Sequence, residues 1–314
     1  MKHSANRRTL RNRPARHEKR AKSHESRQLE GQIVASFGRR YLVELADSST
    51  LDCVTRGKRG ALACGDRVTV ARSAPGKGVI EAVRPRRTLL YRSDRARQKL
   101  VAANVTQIAI VVAPVPAFSE DLVNRCLAAA EHGGIAALIV LNKVDLPQAR
   151  AALASLQPYR GLGYRVVALS AKRDLGPLVP HLIGETSVLV GPSGMGKSTI
   201  INGLLPAAAV RVAEISAALD SGRHTTTHTR LYHLDAASHV IDSPGLQLFG
   251  LHHVDGAALA HAFVEFRPHL GRCRFRDCRH VVEPGCAIAA ACKREKFSKR
   301  RLESYRKLVR ERKP

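Results

Sequence analysis

Val188-Leu-Val-Gly-Pro-Ser-Gly-Met-Gly-Lys-Ser-Thr-Ile-Ile-Asn202 is the stretch on which the reading of this chain turns. The apolar run Thr186 to Val190 reads as a buried strand, the residues from Lys197 onward can start a helix, and the turn between them is rich in glycine. A turn of that kind suits phosphate: the glycines let the backbone wrap closely around an anion, and successive N–H groups at a helix start attract its charge. Gly191, Pro192, Ser193, Gly194, Met195, Gly196, Lys197, Ser198 and Thr199 are therefore expected to line a nucleoside triphosphate. Lys197 is expected to reach the β- and γ-phosphates and serve catalysis, and Ser198 to hold Mg²⁺.

The 314 residues leave room for two or three domains, each able to bury a core. Lys and Arg number 52 against 26 Asp and Glu, a net charge of +26. Residues 1–27 hold ten Lys/Arg against two Glu and residues 293–314 eleven against three, yet the body between them still keeps 31 against 21. A chain this basic expects a polyanionic partner, nucleic acid before anionic lipid, because no amphipathic anchor accompanies the charge. The basic start is not followed by a continuous apolar segment, and no apolar run is long enough to span a bilayer, so a soluble, cytoplasmic protein is expected. Of the seven cysteines, three cluster with a histidine, which favours metal ligation in a reducing compartment over a disulfide framework.

Residues 1–27 read as a disordered basic arm that orders on a polyanion. Over 28–88 the pattern changes to short alternating runs, with strands expected at Gly31 to Phe37, Arg40 to Leu45, Thr50 to Thr55, Asp66 to Ala71 and Gly78 to Val83. Five short strands with turn residues between them predict a small barrel of the oligonucleotide-binding (OB) type. Phe37 and Tyr41 are either aromatic faces for RNA or core residues of that barrel, and Cys53 and Cys64 read as buried thiols. Over 89–252 strands alternate with helices: Val105 to Val112, helix Ser119 to His132, Ala136 to Leu141, helix Gln148 to Leu156, and Arg165 to Leu169. That alternation predicts a parallel sheet covered by helices on both faces.

Asn142-Lys143-Val144-Asp145 closes one of these strands, and the Asp145 carboxylate is placed to accept from the N1–H and 2-amino groups of guanine. A pair of hydrogen bonds to a charged group, about 1.5–3 kcal/mol each, separates guanine from adenine. Ser170-Ala171-Lys172 ends a later strand and is similar to the loop that offers backbone N–H groups to the base in GTPases. Ser221-Gly-Arg-His-Thr-Thr-Thr227 reads as a switch segment, with Thr226 expected to hold Mg²⁺. In Asp242-Ser-Pro-Gly245, Asp242 is expected to approach Mg²⁺ through water and the Gly245 N–H to touch the γ-phosphate. An ordinary GTPase begins with the phosphate loop; here the guanine motifs come first, so the domain is circularly permuted, which surface termini permit.

Over 253–314 a helix-prone stretch runs to Phe266, followed by Cys273, Cys278, His280 and Cys286. Three thiolates and an imidazole suit a closed tetrahedral structural Zn²⁺ site; buried thiols are the other reading of that spacing. In a segment with so little core, metal affinity on the order of 10 kcal/mol would supply the folding energy. Cys292 falls outside the pattern. Lys296 to Arg312 reads as a basic helix with the narrow apolar stripe Phe297, Leu302, Tyr305 and Leu308.

The permuted motif order, the barrel in front, GPSGMGKS, GRHTTT, DSPG and the later Cys/His cluster together resemble the ribosome small-subunit-dependent GTPase family, RsgA, of bacteria, over residues 30–290. The resemblance implies a multidomain α/β protein that hydrolyses GTP late in maturation of the small (30S) ribosomal subunit, bound to 16S rRNA and stimulated by the subunit. It also implies one structural Zn²⁺ on Cys273, Cys278, His280 and Cys286, since the family's zinc pattern matches residue for residue. A monomer is expected. A GTPase acting on another RNA assembly such as the large subunit, and an RNA-binding module with a merely structural nucleotide, are the alternatives. The water-orienting glutamine that many GTPases carry directly after DxxG is replaced here by Leu246, with Gln247 one residue too far on, so His224 in the switch segment is the expected catalytic substitute.

Overall fold

The computed structural model describes residues 28–56, 61–93, 98–205, 229–243 and 251–312. The arm 1–27 and most of the switch and DxxG residues, His224, Thr226 and Gly245 included, lie outside the described residues.

Five antiparallel and parallel strands close the N-terminal barrel: β1 (Leu29–Phe37), β2 (Arg40–Leu45), β3 (Thr50–Thr55), β4 (Arg67–Ala74) and β5 (Lys77–Val83). They are ordered β1-β2-β3-β5-β4, β3 and β5 run parallel, and β4 returns to β1, so the sheet closes on itself as an OB-type barrel does. Ile33, Val43, Cys53, Val68, Val70 and Ile80 fill the interior. Tyr41 is buried there too and Phe37 packs against the neighbouring core, so both aromatic rings serve packing. Cys53 and Cys64 are buried, as read from the sequence.

A hairpin of β6 (Leu89–Ser93) and β7 (Gln98–Ala103), which the sequence pattern does not reveal, leads into the second unit. Strands β8 (Gln107–Val112), β9 (Ala136–Leu141), β10 (Arg165–Ala168), β11 (Thr186–Val190) and β13 (His239–Asp242) are parallel, and β12 (Thr229–His233) runs antiparallel to β13. Their order is β10-β9-β8-β11-β13-β12. β8 shows why this sheet forms: Ile108, Ile110 and Val112 point into one core while Ala109 and Val111 point into the other, so alternation buries both faces. Helix α1 (Glu120–Gly133) covers the first face, and α4 (Lys197–Leu204) packs on the second. The helix expected over Gln148 to Leu156 is α2 (Ala149–Ser155), and a further short helix, α3 (Gln157–Gly161), follows it.

The two sheets are one. β1 pairs β4 through Leu29 to Gln32, and after a bulge between Ile33 and Ala35 it pairs β12 through Ala35↔Arg230 and Ser36↔Thr229. A bulge bends its strand and lets β1 leave the barrel for the neighbouring sheet.

The C-terminal unit has α5 (Gly256–His261), α6 (Ala287–Lys293) and α7 (Lys299–Glu311). The helix expected to run to Phe266 stops at His261: Phe263 leaves helical backbone, and a 3₁₀ turn over Val264–His269 follows. This brings Phe263, Phe266, Phe297 and Tyr305 into one aromatic cluster with ring centroids 5.1–5.3 Å apart. Leu302 and Leu308 complete a core larger than the sequence suggests, so a metal is not the sole source of this unit's folding energy. The stripe on α7 packs back on its own unit, and the helix starts at Lys299 with Ser298 as its cap. Among the described residues no helix is long and apolar enough to cross a membrane.

Candidate functional site

The loop Gly191–Gly196 joins β11 to α4 at the C-terminal edge of the parallel strands, between β8 on one side and β13 on the other. Ligands bind in open α/β sheets at such an edge, where the order of connection reverses. Two glycines are required by geometry. A Cβ on Gly191 (φ 147°) would lie 2.2 Å from the Val111 carbonyl oxygen, and one on Gly196 (φ 92°) 2.2 Å from Asn142 Nδ2. Met195 is buried under the loop, whereas Ser193 and Ser198 are exposed at its mouth. The Lys197 ammonium donates to the Gly191 and Pro192 carbonyls at 2.7 and 2.8 Å. Burial pulls the pKa of Lys197 down while Asp242 pushes it up; burial raises the pKa of Asp242 and Lys197 opposes the shift. A half-buried cation at the start of α4 and a half-buried carboxylate at the end of β13 thus act on one another.

Asn142 ties the separate motifs into one edge. Its Nδ2 donates to the Met195 carbonyl at 2.9 Å, and its Oδ1 accepts from the N–H groups of Lys143 at 2.8 Å and Ala171 at 2.9 Å. The phosphate loop, the NKVD loop and the Ser170-Ala-Lys172 loop are braced by one side-chain amide that is itself buried. Asp145 is exposed, and hydrogen bonds from Ser170 and from its own backbone N–H hold its carboxyl below the usual range, with Arg173 and Lys172 adding to the effect. Its acceptor oxygens are therefore ionised at neutral pH, as recognition of guanine needs. Lys172 is exposed beside it and Ser170 is buried below.

Sequence reading missed one wall of this site. The Lys143 ammonium donates to the Val115 carbonyl at 2.8 Å, and Pro116 lies 3.5 Å from where a Cβ of Gly194 would stand. The segment after β8 therefore shapes both the base loop and the phosphate loop. Its Pro-Val-Pro composition was the available signal.

The second site lies in the C-terminal unit. The sulfurs of Cys273, Cys278 and Cys286 each stand 3.5 Å from His280 Nδ1, and the four ligand atoms lie within 4.8 Å of one another. A tetrahedral ion with bonds of about 2.3 Å to sulfur and about 2.0 Å to nitrogen would set neighbouring S and N ligands about 3.5 Å apart, so the donor set fits a metal ion. The Ala287 N–H donates to Cys273 Sγ at 3.3 Å and the Ala289 N–H to Cys286 Sγ at 3.4 Å, which suits thiolate acceptors. The loop is held from within by the Glu283 carboxylate, which accepts from the N–H groups of Arg279, Val281 and Val282, and from outside by the Tyr305 hydroxyl, which donates to the Arg279 carbonyl. Cys292 lies outside the cluster.

This unit is docked on α1. Arg301, 3 % exposed, makes a two-pronged ion pair with Glu265, donates to Asn124 Oδ1 at 2.8 Å and lies 4.5 Å over the Phe263 ring. Arg125 makes another such pair with Glu311. None of these contacts is signalled by a motif.

A family model described as RsgA GTPase matches residues 83–252. The small ribosomal subunit biogenesis GTPase RsgA of Nitrosospira multiformis is 56% identical over 282 residues, 90% of each chain. That of Nitrosomonas europaea is 51% identical over 285 residues, covering 90% of this chain and 91% of its own. Among solved structures, YjeQ from Thermotoga maritima is 29% identical with a TM-score of 0.69, covering 91% of this chain and 98% of its own. YloQ, described as a circularly permuted GTPase, is 26% identical with a TM-score of 0.66, covering 94% and 99%.

Proposed function

The chain belongs to the RsgA GTPase family and is a GTP hydrolase, and we propose that it binds the small ribosomal subunit and hydrolyses GTP to GDP and phosphate late in 30S maturation, stimulated by the subunit. The observation that carries this reading is the Asn142 amide, which braces the phosphate loop and both base-recognition loops at one sheet edge. The strongly basic chain, +26 overall, supports 16S rRNA as the surface bound.

In this reading Asp145 selects guanine, backed by the Ala171 and Lys172 loop. The N–H groups from Gly191 to Thr199 hold the phosphates, and Lys197 swings from the Gly191 and Pro192 carbonyls to the β- and γ-phosphates. Ser198 and Thr226 would hold Mg²⁺, whose charge would offset that of the phosphates; Asp242 would approach it through water, and the Gly245 N–H would meet the γ-phosphate. His224 orients the attacking water. The metal on Cys273, Cys278, His280 and Cys286 is zinc and structural, because four protein ligands leave no open position. The working units are the basic arm 1–27, the barrel 28–88, the GTPase domain 89–252 and the metal domain 253–314, in a cytoplasmic monomer.

GTP turnover measured alone and with each purified ribosomal subunit tests the proposal. The expected result is slow turnover alone and stimulation by the small subunit; stimulation by the large subunit only would move the protein to another assembly. With saturating small subunits in single turnover, His224→Ala should lose most of the stimulated rate and Gln247→Ala little. Elemental analysis of freshly purified protein should find one zinc per chain.

A further inference from the structure

A groove of about 640 Å³ opens on the metal loop, between α5, the end of α7 and residues 270–280, with the metal ligands Cys273, Cys278 and His280 in its wall. It does not belong to the nucleotide site. Its floor is apolar, with Ala260, Leu270 and Val309, and Phe275 stands at its rim, 41% exposed. Arg276, Arg279 and Arg312 line it, and Asp277 brings the one carboxylate among the described lining residues. The Arg312 Nε–H is buried and finds no acceptor among the described residues. Arg272 and Arg274 are exposed on the same loop, and the Arg274 guanidinium lies 5.5 Å from the Phe275 ring centre. Gly285, at φ 72°, makes room for that side chain, since a Cβ there would stand 2.8 Å from Arg274 Cβ.

Each feature asks for the same ligand chemistry. An exposed aromatic ring among arginines offers a stacking face to any base and charge to its phosphates, the combination that single-stranded nucleic acid selects. The volume falls in the range that holds a small molecule of a nucleotide's size. A duplex cannot use the groove, because its bases are stacked inside, whereas an unpaired nucleotide can turn its base in.

We propose that this groove receives one unpaired RNA nucleotide, its base on Phe275 and the apolar floor, and its phosphates on Arg276, Arg279 and Arg312. Through it the metal domain distinguishes single-stranded from paired RNA. The inference rests on the reading of an RNA partner but not on GTP hydrolysis.

The test uses the full-length, metal-loaded protein and a short fluorescently labelled RNA of mixed sequence, offered as a single strand and as a duplex, with anisotropy as the readout. Phe275→Ala should weaken single-strand binding about 5- to 150-fold, the worth of one stacked base, and change duplex binding less than about twofold. Arg276→Gln with Arg279→Gln should weaken binding and flatten its salt dependence. Intrinsic GTP turnover should stay unchanged in Phe275→Ala, since the residue is remote from the phosphate loop. Metal content per chain checks the fold of each variant, and Phe275→Leu, which keeps apolar contact without the aromatic face, should repeat the loss. Equal single-strand binding by wild type and Phe275→Leu overturns the proposal, as does an equal fall for single strand and duplex. Loss of small-subunit binding with RNA affinity intact would assign the groove to a protein and also overturn it. If the small subunit fails to stimulate wild-type turnover, the functional reading falls while this binding test still stands.

Discussion

Asn142 Nδ2 donates to the carbonyl of Met195 at 2.9 Å across 53 residues of sequence, joining the base-recognition loop to the phosphate loop. The same amide accepts two backbone N–H groups, so the contact cannot be lost alone. Asn142→Ala would leave the Met195 carbonyl and two N–H groups without partners, at about 1–3 kcal/mol each when buried. Nucleotide Kd, read with a fluorescent GTP analogue, should rise at least about tenfold, with the melting of the barrel unchanged. Unaltered affinity would remove the brace from the account of this site.

Asp145→Asn should weaken GTP and shift preference towards xanthosine triphosphate, whose 2-oxo group accepts from the new amide. The amide cannot accept from guanine as the ionised carboxylate does, and Ser170 holds that carboxylate in its charged form. Competition between the two nucleotides measures the ratio, and an unchanged ratio would count against the assignment.

Arg301 and Glu265 are both 4% exposed at the side chain, and burial opposes the charge on Arg301 while Glu265 sustains it. Breaking such a pair costs about 3–5 kcal/mol, because the remaining ion stays buried and unpaired. Arg301→Gln should therefore lower the unfolding midpoint of the C-terminal unit, followed by its metal content during denaturation. Replacing Arg301 and Glu265 together by Met and Leu should restore much of the loss, whereas a loss as large as in the single variant would mean the arginine works through other contacts.

At the junction of the two sheets, His239 Nδ1 faces His233 Nδ1 at 2.9 Å, and His233 Nε2 meets Glu44 of the barrel at 2.5 Å. Burial lowers the pKa of His239 and His233 adds to this; Asp235 and Glu44 oppose the shift, and Arg67 reinforces it. The unfolded chain thus binds a proton on His239 more readily than the folded one. Stability from this group is present above the ordinary histidine pKa of about 6.5 and is lost as pH falls through it towards the lower folded value. Denaturant midpoints measured between about pH 7.5 and 5 should fall on the acid side, and His239→Gln should flatten the curve. An identical curve would place the titration elsewhere.

Short-range signals were enough for much of this protein. The limits of Arg40–Leu45, Thr50–Thr55 and Ala136–Leu141 follow from alternation and turn residues, which act over a few positions. The phosphate loop, NKVD and the Cys/His spacing were legible because glycine conformation, helix starts and metal geometry constrain neighbours in sequence, and their permuted order fixed the family resemblance. Tertiary structure alone decided that β1 serves both sheets, since Ser36 meets Thr229 across most of the chain and two paired residues leave no periodic trace. It also decided that Arg301, one of many basic residues on α7, is a buried ion, that Pro116 walls the phosphate loop, and that Phe275 stands at a groove. Burial is set by what packs against a residue from distant segments, and a basic helix or a cysteine loop reads the same in sequence whichever face the fold covers.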